Sequence, residues 1–303
     1  MPEKNMKDTT QVIGPENEKV VEVEKLVYTY PGKNEKTLQG LSFTIHQGEI
    51  FGFLGPSGAG KSTTQKIITG ILKGFQGRVK VMGENIEQIN NDFYENIGVS
   101  FEFPNLYERF TGRENLNYFA SLYSSETEKP LKLLKMVGLQ EAADQKVEDY
   151  SKGMKMRLNL CRAFLNKPDL LFLDEPTSGL DPGNARRVKN IIRDYCQSGR
   201  TVFLTTHDMK AVDDLCHRVA FIVAGEIVLI DSPQQLKKNY GSPRVEVVYQ
   251  EGKKVEKETF SLQGLGENEK FWHLLQRFEP ESLHSQEADL EEVFIKVTGR
   301  SLR

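Results

Sequence analysis

EIFGFLGPSGAGKSTTQKIITGIL, residues 49–72, is the stretch on which the reading of this chain turns. Its first part, Glu49–Leu54, is apolar on both faces, as an inner strand of a parallel sheet must be. Its last part, from Lys61, has the spacing of a helix. Between them lie Gly55, Pro56, Ser57, Gly58, Ala59, Gly60, Lys61, Ser62 and Thr63, a run that fits G-x-x-x-x-G-K-[ST]. Glycines let the backbone turn tightly enough for successive N–H groups to point inward at phosphate oxygens. The helix that follows presents its positive end to the same anion. In such a loop Lys61 reaches the β- and γ-phosphates of a nucleotide, and the Ser62 hydroxyl can ligate Mg²⁺.

The totals limit what surrounds this loop. At 303 residues the chain has room for one large domain or two ordinary ones, and 38% hydrophobic with 27% charged residues is a globular composition. A net charge of −3 implies no general attraction to nucleic acid or anionic lipid, so no nucleic-acid partner is expected. No apolar run approaches the roughly 18 residues that span a bilayer. Residues 1–19 are charged, lack an apolar core for an export signal, and read as a disordered leader. Cys161, Cys196 and Cys216 are widely spaced without a CxxC, which supports neither zinc nor a disulfide framework. A reducing cytosol is the simplest setting.

From Val20 onward strand-like and helix-like segments alternate. LLFLD (170–174) and TVFLTT (201–206) are buried strands of the same kind as 50–54, and VAFIV with IVLID reads as a hairpin. Helical patterns KSTTQKIITGIL, MKMRLNLCRAFLNK and NARRVKNIIRDYC lie between the strands. The expected fold is α/β, a P-loop NTPase core with a mostly parallel sheet and N-terminal antiparallel strands. Tyr240-Gly241-Ser242-Pro243 reads as a linker. Residues 20–240 are therefore one domain, with a helical subdomain at about 104–165, and residues 241–303 a small α+β appendage.

A second element strengthens the phosphate reading. LLFLDEP ends an apolar strand with Asp174 and Glu175, a costly pairing unless something there requires charge. Asp174 suits Mg²⁺, which takes oxygen ligands and keeps much of its water. Glu175, one residue on, points elsewhere and can accept a proton from an attacking water.

With these residues in place the chain resembles the ATP-binding subunit of an ABC transporter over about residues 20–240. Tyr150-Ser151-Lys152-Gly153-Met154 occupies the place of the Leu-Ser-Gly-Gly-Gln signature, and the DEP strand follows at the family's spacing. Ser178-Gly179-Leu180-Asp181 looks like the D-loop, His207 like the switch histidine, and Tyr30 like the aromatic that stacks on adenine. The resemblance implies that the helix start at Ser151 and Gly153 faces the ATP held by a second subunit, so two chains sandwich two ATP, with Lys152 and Asp181 also among the expected nucleotide-binding residues. That second chain is a copy or a paralogue. His207 would touch the γ-phosphate and align Glu175 with the water.

Two positions depart from the family pattern. Glu102 stands where a Mg²⁺-binding Gln is usual, either keeping the metal contact or lying solvated in its loop. Lys152 replaces a signature Gly and points either at a partner's γ-phosphate or to solvent. YSKGM and the tail DLEEVFIKVTG resemble the exporter branch with separate membrane subunits. The implied function is ATP-driven transport, with export favoured, through a transmembrane permease, on the cytoplasmic face of the membrane. A soluble ABC ATPase acting on ribosomes, DNA or assembly is the alternative. The rings Phe101, Phe103, Tyr107, Phe110, Tyr118, Phe119 and Tyr123 are expected to fill the core of the helical subdomain, part of whose surface receives a permease helix.

Overall fold

The computed structural model describes residues 18–286 and 288–301. Residues 1–17 of the expected leader lie outside the described residues, and Lys19, its last residue, already opens the first strand. Along the chain, β1 (Lys19–Tyr28), β2 (Leu38–His46) and β3 (Ile50–Leu54) precede helix α1 (Lys61–Ile68). Then come β4 (Gln76–Val81), β5 (Glu84–Asn85), α2 (Asn91–Asn96) and β6 (Ile97–Ser100). Helices α3 (Gly112–Ala120), α4 (Pro130–Met136) and α5 (Lys152–Ala163) follow. After them come β7 (Leu170–Asp174), α6 (Pro182–Gln197), β8 (Thr201–Thr206), α7 (Met209–Leu215), β9 (Arg218–Val223), β10 (Glu226–Asp231) and α8 (Pro233–Tyr240). The last elements are β11 (Arg244–Glu251), β12 (Lys254–Ser261), α9 (Glu269–Arg277), β13 (Pro280–Gln286) and α10 (Leu290–Thr298).

The central sheet has the order β10-β9-β3-β8-β7-β6, parallel except for β10, which forms a hairpin with β9. The hairpin turns on Ala224 and Gly225, both at positive φ, as a two-residue turn matched to strand twist requires. Every residue of β3, β7 and β8 is buried because each side of these strands meets its own layer. Phe51, Phe53, Phe172 and Phe203 pack toward the antiparallel sheet β2-β1-β4-β5, with Phe43 stacked on Phe51 at 5.7 Å. Leu171, Leu173, Val202 and Leu204 pack the other way, in the core shared with α5, α6 and α7. Since β3, β7 and β8 run parallel and in register, Leu54 beside Thr206 and Asp174 beside Thr205, all three deliver their next residues to one edge. The functional residues gather there for that reason.

The three cysteines are buried and free, and Cys161 behaves as the small core residue its helical spacing suggested. Burial pushes the Cys196 thiol up to about 11, which leaves it unreactive near neutrality.

Two expectations need correction. Most aromatic rings between 101 and 123 do not fill a core: Phe103 is 75% exposed, and Tyr107, Phe110 and Tyr118 are exposed too. Helix α3 is only nine residues long and turns Gly112, Asn115 and Leu116 inward, so its Tyr118 lies on the outer side, against Tyr107 of the preceding segment at 4.9 Å. The C-terminal appendage is also smaller than 241–303. β12-β11-β13 and α9 enclose a small core of Val245, Val247, Phe260, Phe271 and Leu274, but α10 leaves it. Leu290, Val293 and Phe294 form an apolar stripe that joins the main core, Phe294 meeting Phe221 at 5.0 Å. Arg244 and Glu292, at 2.8 Å, tie the two parts together. Strand β13, PESLHSQ, escaped sequence reading because it is a largely polar, exposed edge strand.

Candidate functional site

The loop after β3 closes on itself as the sequence requires. A Cβ on Gly55 would stand 2.1 Å from the Ile222 carbonyl oxygen, and Gly60 sits at φ 106° with Leu38 only 2.6 Å from where its Cβ would be. A side chain at Gly55 would have to move the backbone of β9, and one at Gly60 would displace the Leu38 side chain and sit at a φ that favours glycine. Lys61 opens α1 and folds back over the loop, donating to the carbonyls of Gly55 at 2.6 Å and Pro56 at 3.1 Å. Its ammonium therefore stands over the centre of the loop. Burial lowers its pKa, while Glu175, Asp174 and Glu102 push it back up. These carboxylates keep a charged lysine tolerable at 9% exposure.

Both carboxylates come from the end of β7, and the threonines that hold them come from the end of β8. Thr205 donates its hydroxyl to Asp174 Oδ1. Glu175 takes a left-handed backbone conformation, φ 49°, which swings its side chain away from that of Asp174. Its Oε2 accepts from the Thr206 hydroxyl at 3.0 Å, and its Oε1 accepts from the His207 backbone N–H at 2.9 Å. His207 Nδ1 is 2.7 Å from the same Oε1, and the rest of the imidazole is open to the cleft. Each carboxylate is thus held by a threonine, oriented rather than free.

Tyr30 lies at the rim, its hydroxyl 3.1 Å from Thr63 Oγ1 and its ring edge-on to Tyr28 at 5.0 Å. Together Tyr30, Ser57, Gly58, Gly60, Lys61, Ser62, Thr63, Glu102, Asp174, Glu175 and His207 line one open cleft of about 470 Å³. Gly55, Pro56 and Ala59 form the back of the loop. The structure leaves Ser151, Lys152, Gly153 and Asp181 out of that cleft. Ser151 caps α5 by accepting from the Met154 N–H at 3.2 Å, and Asp181 caps α6 by accepting from the Asn184 N–H at 3.0 Å. Lys152 runs along Gly179, its Cε 3.4 Å from the place of a Cβ there, and lines a smaller cleft that Glu102 also borders.

Four participants escaped sequence reading. Lys33 and Thr37, in the turn after Tyr30, also line the cleft. Lys33 could have been noticed as a cation three residues past the expected adenine-stacking ring. Thr205 and Thr206 read as ordinary strand residues. Only the register of β8 on β7 makes them partners of the two carboxylates.

The donor set suits a hard cation. Ser62, Asp174 and Glu102 offer only oxygens to one cleft, and Mg²⁺ needs few protein ligands when phosphates and water complete its shell.

A strand-loop-helix phosphate cradle facing an oriented Asp-Glu pair defines a P-loop ATPase. The ABC transporter family matches residues 38–178, and the fluoroquinolone efflux ABC transporter C-terminal domain matches residues 243–287. A fluoroquinolones export ATP-binding protein of Mycobacterium tuberculosis is 50% identical over 284 residues, covering 93% of this chain and 94% of that protein. Nod factor export ATP-binding protein I of Paraburkholderia xenovorans is 34% identical over 305 residues, covering 94% of this chain and 99% of that protein. Among solved structures, a dimeric ATP-binding cassette in a post-hydrolysis state with ADP and Pi matches with TM-score 0.64 and 26% identity, over 70% of this chain and 98% of that one. The chain belongs to the ATP-binding proteins of ABC transporters. It is an ATPase whose hydrolysis is coupled to transport. Among the described residues no helix is long and apolar enough to cross a membrane.

Proposed function

We propose that this chain, paired with a second ATP-binding subunit on the cytoplasmic face of the membrane, powers export of fluoroquinolone-like compounds through a permease. The hydrolytic part rests on one observation: the Lys61 loop and the Asp174-Glu175 pair, far apart in sequence, open into a single cleft. The export part rests on the named roles of the relatives.

In this reading Tyr30 stacks on adenine. Lys61 and the loop amides hold the β- and γ-phosphates. Ser62, Asp174 and Glu102 hold Mg²⁺, which when bound offsets charge on the phosphates. Glu175 takes a proton from the attacking water as its oxygen bonds to the γ-phosphorus and the bond to the β–γ bridging oxygen breaks, leaving ADP and phosphate. His207, anchored to Glu175, holds the water and a γ-oxygen in line. The Ser151–Gly153 helix start and Asp181 complete the site of the partner subunit, which is why they lie outside this chain's own cleft. Residues 241–286 form an accessory unit.

A groove of about 450 Å³ between α2, β6 and α3, lined among others by Tyr94, Phe101, Phe119, Leu122 and Arg162, offers a seat for a short permease helix. The chain is expected to co-purify in detergent with a multi-spanning membrane protein. Cells carrying both are expected to accumulate less of a fluorescent fluoroquinolone while ATP is available. Equal accumulation with and without the pair would refute this choice of substrate and direction.

Glu102 supplies a separate test. Glu102→Gln removes one charge beside the phosphates, and the Mg²⁺ concentration for half-maximal hydrolysis is expected to rise on the order of tenfold. An unchanged Mg²⁺ dependence together with an unchanged rate would remove Glu102 from the metal site.

A further inference from the structure

Helix α5 carries a polar stripe that the phosphate chemistry does not use. Lys155, Asn159 and Arg162 recur at i, i+4 and i+7, on one face of the helix that begins at Ser151. All three reach the segment that follows β6. Lys155 pairs with Glu108 at 2.7 Å, and Arg162 donates to the Asn105 carbonyl at 3.0 Å. Asn159 lies between them, fully buried. Its amide donates to the Phe101 carbonyl at 2.8 Å and lies 3.0 Å from the Ser100 hydroxyl.

Asn159 stands among Leu158, Leu160 and Cys161, all core residues, and its Oδ1 has no hydrogen-bond partner. An amide in such a place is costly unless its remaining bonds fix something that matters. What they fix is the start of one loop. Ser100 pairs with Leu173 on β7, one residue before Asp174, and Phe101 immediately precedes Glu102. Glu102 borders both the nucleotide cleft and the smaller cleft lined by Lys152.

We infer that Asn159 is a positioning residue for hydrolysis, fastening the Glu102 loop to the helix whose N-terminus serves the partner's ATP. The contribution through Glu102 rests on the metal-site reading above. The fastening itself does not. Because the same helix starts at Ser151, the bonds of Asn159 tie the loop serving one ATP to the structure serving the other.

The test compares full-length wild type, Asn159→Leu, which keeps the branching of the side chain without its hydrogen bonds, and Asn159→Ala, which leaves room for a water should the bulkier Leu fold poorly. Amide hydrogen exchange over residues 101–106 is expected to quicken about tenfold while exchange in β3, β7 and β8 stays unchanged. Turnover is expected to fall about tenfold, with ATP affinity little altered. Wild-type exchange at 101–106, or quickening spread evenly over the central strands, overturns the inference, the second being the mark of lost packing alone. A cycle with Glu102→Gln reads the route. The Asn159 variants are expected to slow Glu102→Gln much less than wild type. An equal factor in both backgrounds overturns action through Glu102. Glu102→Gln with wild-type rate and Mg²⁺ dependence would refute the metal role alone, and the exchange result would still judge Asn159.

Discussion

Glu175→Gln is expected to bind ATP with near-normal affinity, to hydrolyse it 10²- to 10⁴-fold more slowly, and to accumulate as an ATP-bound dimer. The reason lies in what the substitution keeps. A glutamine at 175 can present its carbonyl oxygen to His207 as Glu175 Oε1 does, and its amide can lie against Thr206. The strained backbone at φ 49° is equally accessible to Glu and Gln. The loop should therefore retain its shape, with thermal stability shifted by no more than about 1 kcal/mol. What is lost, on the proposed mechanism, is the proton acceptor. Single-turnover hydrolysis, with sedimentation in ATP, separates the two readings: a rate close to wild type would mean that another group accepts the proton.

Lys61→Ala is expected to weaken ATP binding by about ten- to a hundredfold, the loss of a charge-assisted contact worth roughly 1.5–3 kcal/mol. In the structure the ammonium already hangs over the loop, held by the carbonyls of Gly55 and Pro56 at 2.6 and 3.1 Å. Arriving phosphate would replace neutral acceptors with anionic ones, whose charge opposes the lowering of the lysine's pKa by burial. Calorimetric titration with ATP and with AMP provides the check. The deficit should appear with ATP and be small with AMP, because only ATP carries the phosphates that Lys61 meets. An equal loss for both nucleotides would point to a collapsed loop instead.

The core of this protein was legible because its signals are local. Glu49–Leu72 holds strand, loop and helix within one short span, and the glycines needed at Gly55 and Gly60 are demanded by immediate backbone geometry. The same holds for the capping Ser151 and for the hairpin turn at Ala224-Gly225. Apolar residues alternate or run continuously in patterns that betray a buried sheet before any coordinates are known. The aromatic segment misled for a related reason. Rings are usually interior, but a helix as short as α3 has only one narrow face to bury, and Asn115 and Leu116 took it.

By itself, then, the order of residues determined the phosphate loop, the paired carboxylates, the parallel sheet and the family to which the chain belongs. Only the tertiary structure decided that Thr205 and Thr206 grip those carboxylates, that α10 abandons the C-terminal unit for the main core, and that Asn159 holds the loop of Glu102. The division has a physical cause. A motif is written in neighbouring residues, whose spacing is fixed by covalent geometry. A hydrogen bond between residues separated by 31 or 58 positions depends on strand register and helix docking, which are set by the packing of the whole chain.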